Sequence, residues 1–269
     1  EEEPFHEHRL LELPQVVATP HLGASTVEAQ EIVAIDVSRD VIRYLNGEPV
    51  KNPVNLPSLP KDVLATIEPY FHLAEKLGAF LIDLVKEVAE EIHIYYSGEL
   101  YDVEVGPLTR NTVKGILKRH LGSHVNDVNA LYLAERRDIT VRESKTSSNK
   151  GFTNLITVEI KTKSQTRRVS GTLLNGLGPR IVKVDDYSVD VTPKGHMVFI
   201  QHIDMPGVIG RMGSILAKHD INIATMQVDR SDVGGSAMMM LTIDRHLDDA
   251  ALEELKKLQE INDVVAIDL

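Results

Sequence analysis

Two histidines mark the places where this chain could do chemistry. His21 lies in Thr19-Pro20-His21-Leu22-Gly23-Ala24-Ser25-Thr26. An imidazole titrates near neutral pH, so it can give or take a proton there. His202 opens a second group, His202-Ile203-Asp204-Met205-Pro206-Gly207-Val208-Ile209-Gly210, followed by Ile221-Asn222-Ile223-Ala224. Gly207 and Val208 stand where a helix should begin, and the free N–H groups of a helix start suit a carboxylate. Gly207 lets a ligand come close to the backbone. An ammonium group would suit Asp204 and the side-chain carbonyl of Asn222. Taken singly, each residue has a plainer use: Asp204 as a helix-entry residue, Asn222 in a turn, His202 at a rim.

The elements that must carry these residues fall into three segments, 1–56, 57–192 and 193–269. In the first, Ser25 is an expected N-cap with Glu28 three residues on, as a capping box requires. Apolar residues then recur near helical spacing at Ala29, Ile32, Val33, Val37, Val41 and Leu45. Asn46-Gly47 should end that helix in a left-handed cap. Pro49, Pro53, Pro57 and Pro60 read as an extended linker.

In the second segment a helix is expected from about Ile67 to Leu84, apolar at Leu73, Leu77, Phe80, Leu81 and Leu84. Glu91 to Tyr96 alternates like a strand. Thr112 begins another helix, and Asn154–Lys161, Arg167–Leu173 and Arg180–Asp185 are expected strands. The third segment reads as strand His196–Ile203, helix Gly207–Lys218, strands Ile221–Val228 and Ser236–Ile243, helix Asp248–Gln259 and strand Val264–Ile267. That order, βαββαβ, is a ferredoxin-like split unit. The expected class is mixed α/β (α+β), with helices packed on sheets.

Composition narrows the function. No apolar run approaches the ~18 residues of a membrane span. The absence of Cys excludes disulfides, thiolate metal sites and a Cys nucleophile, and no metal site is expected. A formal charge of −11 argues against general nucleic-acid binding. These features fit a cytoplasmic protein without requiring one.

The third segment resembles the ACT domain, a sensor of small molecules in amino-acid metabolism, most sharply at His202 to Gly210 and Ile221 to Ala224. The resemblance implies that His202, Asp204 and Asn222 contact L-serine, with Gly207 and Val208 at the helix start. The front of the chain resembles D-2-hydroxyacid dehydrogenases, and the whole chain resembles the long form of the D-3-phosphoglycerate dehydrogenase family. Glu3-Pro4 and Leu13 to Thr26 carry that likeness. It implies a catalytic pair of Glu3 and His21, in which the carboxylate orients the ring as a proton donor. It also implies that His21, Gly23 and Ala24 lie near the nicotinamide of NAD. The middle segment resembles the intervening, allosteric substrate-binding domain of that family through Leu73-Ala74-Glu75-Lys76-Leu77-Gly78 and Ser170-Gly171-Thr172-Leu173. The implied ligand there is a phosphorylated substrate or other anion. Candidates are Arg136, Arg137, Arg142, Lys145, Arg180 and Lys183, with Arg180 favoured because it follows the Gly178-Pro179 turn.

Part of the family machinery has no counterpart. Gly171-Thr172-Leu173-Leu174-Asn175-Gly176 lacks the spacing of a dinucleotide-binding turn. The expectation is a C-terminal fragment whose first segment is a catalytic stub, inactive alone and holding no NAD. Its parent would oxidise 3-phosphoglycerate with NAD and be inhibited by L-serine, and a homodimer or homotetramer is expected. The competing readings are a stand-alone amino-acid-binding regulatory or interaction module, and a hydrolase or lyase built on Glu3 and His21.

Overall fold

The chain divides into two compact units, Glu1–Ser58 and Leu59–Leu269. The computed structural model describes residues 9–19, 21–46, 50, 53–55, 59–148 and 151–269. The class is mixed α/β, with two sheets and their helices in the second unit.

The first unit is built on one long helix, α1 (Val27–Leu45). Its N-cap is Thr26, not Ser25: the Thr26 hydroxyl accepts from the Ala29 N–H at 3.2 Å. With the cap moved one residue on, position three of the helix is Ala29, which cannot return the bond, so no capping box forms. Glu28 keeps a role in the first turn, where its charge complements the helix dipole. Asn46 caps the far end in a right-handed conformation rather than the left-handed one expected. Gly47, Pro49 and Pro57 lie outside the described residues. The periodicity was a sound guide to the helix, yet Ile32, Val33, Val37, Val41 and Leu45 are all exposed.

The second unit opens with α2 (Lys61–Ile67) and α3 (Phe71–Asp83). They are separated by a 3-10 turn, Glu68–Tyr70. The expected single helix is interrupted here because Pro69 has no N–H to give. Leu73, Leu77, Phe80, Leu81 and Leu84 are all buried, as the spacing required. Next come β1 (Glu91–Gly98), α4 (Gly106–Leu121), α5 (Ala130–Glu135) and β2 (Thr140–Thr146). The α4 helix starts six residues before Thr112, because Pro107 supplies a preset φ in its first turn. Four further strands follow: β3 (Asn154–Lys161), β4 (Thr166–Leu174), β5 (Gly178–Val184) and β6 (Tyr187–Val191). The sheet order is β2-β1-β3-β4-β5-β6, and β1 pairs with β2 in parallel.

Two glycines set the spacing of α3 and α4. A Cβ on Gly78 would strike the Thr112 carbonyl, and one on Gly115 would strike the Glu75 carbonyl. The helix backbones therefore touch where only Gly fits. A buried polar hub ties this layer together. Asn154 donates from Nδ2 to the Tyr70 hydroxyl at 2.8 Å and accepts from the Leu100 N–H at 3.1 Å.

The remaining elements are β7 (His196–Ile203), α6 (Val208–Lys218), β8 (Ile223–Arg230), β9 (Ser236–Ile243), α7 (Asp249–Lys256) and β10 (Ile261–Asp268). They form a four-stranded antiparallel sheet, β10-β7-β9-β8. Its central strands, β7 and β9, are buried on both sides. Val198, Ile200, Met239 and Leu241 pack with Val208, Met212 and Leu216 of α6 and Leu255 of α7. On the other side Met197, Phe199, Met238, Met240 and Ile267 join the core of the six-stranded layer. The Arg167 guanidinium lies 5.2 Å from the centre of the Phe199 ring, and Lys86 pairs with Asp263 at 2.6 Å.

Candidate functional site

His202 sits one residue before the end of β7 and is buried, with 2% of its surface exposed. Its Nδ1 lies 2.8 Å from the Ile203 carbonyl. A carbonyl can only accept, so Nδ1 is the donor in this contact and Nε2 is left for another partner. That Nε2 is buried and has no hydrogen-bond partner among the described residues. A buried polar atom without a partner costs about 1–3 kcal/mol, so it needs a reason to persist.

The chain leaves β7 through Asp204 and reaches α6 by way of Gly207, at φ 89° and ψ −10°. This left-handed conformation is easy for Gly and strained for residues with a Cβ. No side chain caps α6, and its first N–H, that of Val208, has only a long 3.4 Å contact to the Met205 carbonyl. Asp204 accepts from Arg230 Nη1 at 2.7 Å and from the Gly234 N–H at 3.4 Å. The hydrogen bond from Arg230, with help from Gly234, holds the Asp204 carboxyl below its ordinary range. A ligand ammonium would therefore share Asp204 with Arg230. Arg211 stands beside Gly207 and is itself paired with Glu260.

Asn222 is elsewhere. Both β7 and β8 run antiparallel to β9, so they are parallel to each other. Arg230, at the end of β8, therefore meets Asp204, while Asn222 precedes the start of β8. Eight residues of strand separate them, roughly 26 Å at about 3.3 Å per residue. Asn222 is exposed and donates from Nδ2 to Asp244 at 2.8 Å. Within one chain, His202, Asp204, Gly207 and Val208 come together and Asn222 does not. Sequence reasoning missed Arg230 and Gly234. The Asp232-Val233-Gly234-Gly235 turn was the available signal, because a hairpin there returns Arg230 to the level of Asp204.

His21 belongs to the first unit and is exposed. Gly23 follows closely enough that a Cβ there would lie 3.8 Å from the ring. Ala24 has φ 60°, a left-handed backbone that costs a non-Gly residue about 1–2 kcal/mol. Glu3 lies outside the described residues.

The six cationic candidates do not converge. Arg136 and Arg137 follow α5. On β2, Arg142 lies 3.5 Å from Glu91 and Lys145 donates to the Val103 carbonyl at 2.6 Å. Arg180 and Lys183 are on β5, four strands away in the sheet order. Arg180 is half-buried, lies 3.4 Å from Asp190 and bonds the Thr192 hydroxyl. Much of its charge is thus used to hold β5 to the end of β6.

Comparison with known families accounts for both layers of the second unit. The family model described as the D-3-phosphoglycerate dehydrogenase intervening domain matches residues 66–185. The ACT domain model matches residues 196–260. The chain carries the intervening and ACT domains of the D-3-phosphoglycerate dehydrogenase family. It is 43% identical over its full length to the D-3-phosphoglycerate dehydrogenase of Bacillus subtilis, covering 51% of that protein. The corresponding enzyme of Methanocaldococcus jannaschii is 37% identical, with 100% of this chain and 51% of the relative covered. The chain thus spans about half the length of the curated relatives it matches, and is homologous to their regulatory C-terminal half. The ACT match contains His202, Asp204, Gly207, Val208 and Asn222. The intervening-domain match contains all six cationic candidates. Among the described residues, no helix is long and apolar enough to cross a membrane.

Proposed function

We propose that this chain is the L-serine-sensing regulatory half of a cytoplasmic D-3-phosphoglycerate dehydrogenase. The observation that carries the reading is the buried, unpartnered His202 Nε2 beside an uncapped helix start with a left-handed Gly207. The N–H groups of Gly207 and Val208 would receive the serine carboxylate. Asp204, shared with Arg230, would receive the ammonium group, and His202 Nε2 would meet the hydroxyl or carboxylate.

Asn222 enters through a second copy. In the ACT sheet β8 is an edge strand. If two β8 strands pair antiparallel about a two-fold axis, the start of one lies beside the end of the other. That places Asn222 of one chain near Asp204 of its neighbour, so the complete site belongs to a dimer. Serine would then shift the equilibrium between two domain arrangements by binding one of them better.

The whole enzyme would oxidise 3-phosphoglycerate with NAD. His21, oriented by Glu3, would exchange the proton at the reacting oxygen, and Gly23 and Ala24 would lie along the nicotinamide. The intervening domain would take an anion, with Arg180 as one ligand. This chain alone, given NAD and 3-phosphoglycerate, should form no NADH.

Calorimetric titration with L-serine tests the central claim. The chain should bind serine as a dimer, and the serine-bound form should melt at higher temperature by mass action. Asp204→Ala and Asn222→Ala should each remove binding, whereas mixing the two variants should restore one site in each mixed dimer, where intact Asp204 of one chain faces intact Asn222 of the other. A folded, dimeric chain that shows no heat with serine would end the sensor reading.

A further inference from the structure

A cluster at the opposite end of the ACT sheet has no part in that site. His196 is the first residue of β7 and Asp268 the last of β10, and the two are direct cross-strand partners. His246 comes from the connection between β9 and α7. His196 Nδ1 lies 2.6 Å from Asp268 Oδ1, and His246 Nδ1 lies 2.7 Å from Asp268 Oδ2. One ligand atom from each residue falls within 4.8 Å of the others. The two rings stand edge to face, with centroids 6.2 Å apart.

We propose that His196, His246 and Asp268 form a binding site for a divalent transition metal ion of the zinc class. Two imidazole nitrogens and a carboxylate oxygen are the donor set of borderline ions such as Zn²⁺ rather than of Mg²⁺ or Ca²⁺. Three protein ligands would leave a fourth position for water. The ligands come from three separate segments, so the ion would clamp the first strand, the last strand and the β9–α7 connection together. The frame beneath is already set. Gly195 and Leu269 exchange two backbone hydrogen bonds of 3.0 Å, which fix β7 against β10 next to the cluster. All three side chains are reachable, with exposures of 40% for His196, 61% for His246 and 44% for Asp268. On binding, Asp268 would exchange its contacts with the two rings for the metal, and each ligating nitrogen would give up its proton.

Zn²⁺ titration of the full chain, followed by calorimetry and by melting temperature, is the test. One equivalent should bind and raise the melting temperature, while Mg²⁺ should do neither. Asp268→Asn and His246→Ala should each weaken Zn²⁺ binding by at least 10–100-fold, the size seen even for supporting residues around metal sites. Both variants should retain the wild-type far-UV spectrum. His219→Ala, which removes a histidine outside the cluster, should leave Zn²⁺ affinity unchanged. The proposal is overturned if Zn²⁺ fails to bind, or if it binds the two cluster variants as tightly as wild type, which would mean an adventitious ion only.

Discussion

Gly115→Ala should destabilise the 59–269 unit by about 2–3 kcal/mol, the scale of overpacking a filled core. Helix propensity alone argues the reverse, since Ala in place of an interior helical Gly gains about 1 kcal/mol. The clash wins because the atom in the way is backbone. A Cβ at 115 meets the Glu75 carbonyl and approaches the Ala79 nitrogen at 3.1 Å. Neither can rotate aside as a side-chain tip would, so α3 and α4 must move apart. That movement would open the layer holding Leu73, Leu77, Val113 and Ile116. Gly213 in α6 provides the internal control, because a Cβ there meets nothing within 4 Å. Gly213→Ala should stabilise by roughly 0.5–1 kcal/mol. Urea unfolding of the two variants beside wild type checks both signs. A stabilised Gly115→Ala protein would mean that the helices are not in backbone contact.

Phe199→Ala should cost about 3–5 kcal/mol, the usual loss for a fully buried ring. The side chain is 1% exposed and lies on the face of the ACT sheet turned to the intervening layer. Its removal leaves a cavity and also uncovers the Arg167 guanidinium above it. Arg167 is itself largely buried, with Asp185 2.9 Å away. The loss should therefore appear as a loosened join between the two layers as well as a lower urea midpoint. Trypsin cleavage at Lys194, between β6 and β7, gives a separate readout and should become faster. A midpoint within about 0.5 kcal/mol of wild type, the range of an ordinary surface substitution, would mean that this sheet face is not a core.

The two outcomes bear on how regulation could travel. With Met197, Phe199, Met238 and Met240 on its far side, the ACT sheet is joined to the intervening layer through packing, so the strand that ends at His202 is anchored in both cores. The run Ala237-Met238-Met239-Met240-Leu241 carried that information, because a strand apolar at every position is covered on both sides.

Local pattern reached a long way in this chain. The apolar spacing of α3, the bounds of β3, β7 and β9, and the βαββαβ order are all set by side-chain periodicity and turn residues, which act over a few neighbours. The likeness at His202 to Gly210 is of the same local kind, and so is the meeting of Asp204 with Gly207. Local pattern failed where the deciding partner is distant in the chain. Thr140 to Thr146 shows no clean alternation, because β2 is an edge strand that pairs with β1 on one side only. Nothing near Gly115 says that the Glu75 carbonyl will press on it. Asn222 reads as a neighbour of Asp204 in motif terms, yet strand direction carries it to the other end of the sheet. His196, His246 and Asp268 share no spacing motif across 72 residues, and only antiparallel pairing of the first and last strands of the sheet brings them within reach of one ion. Short-range sterics and hydrophobic period write the elements, but strand order and register decide which of their ends meet.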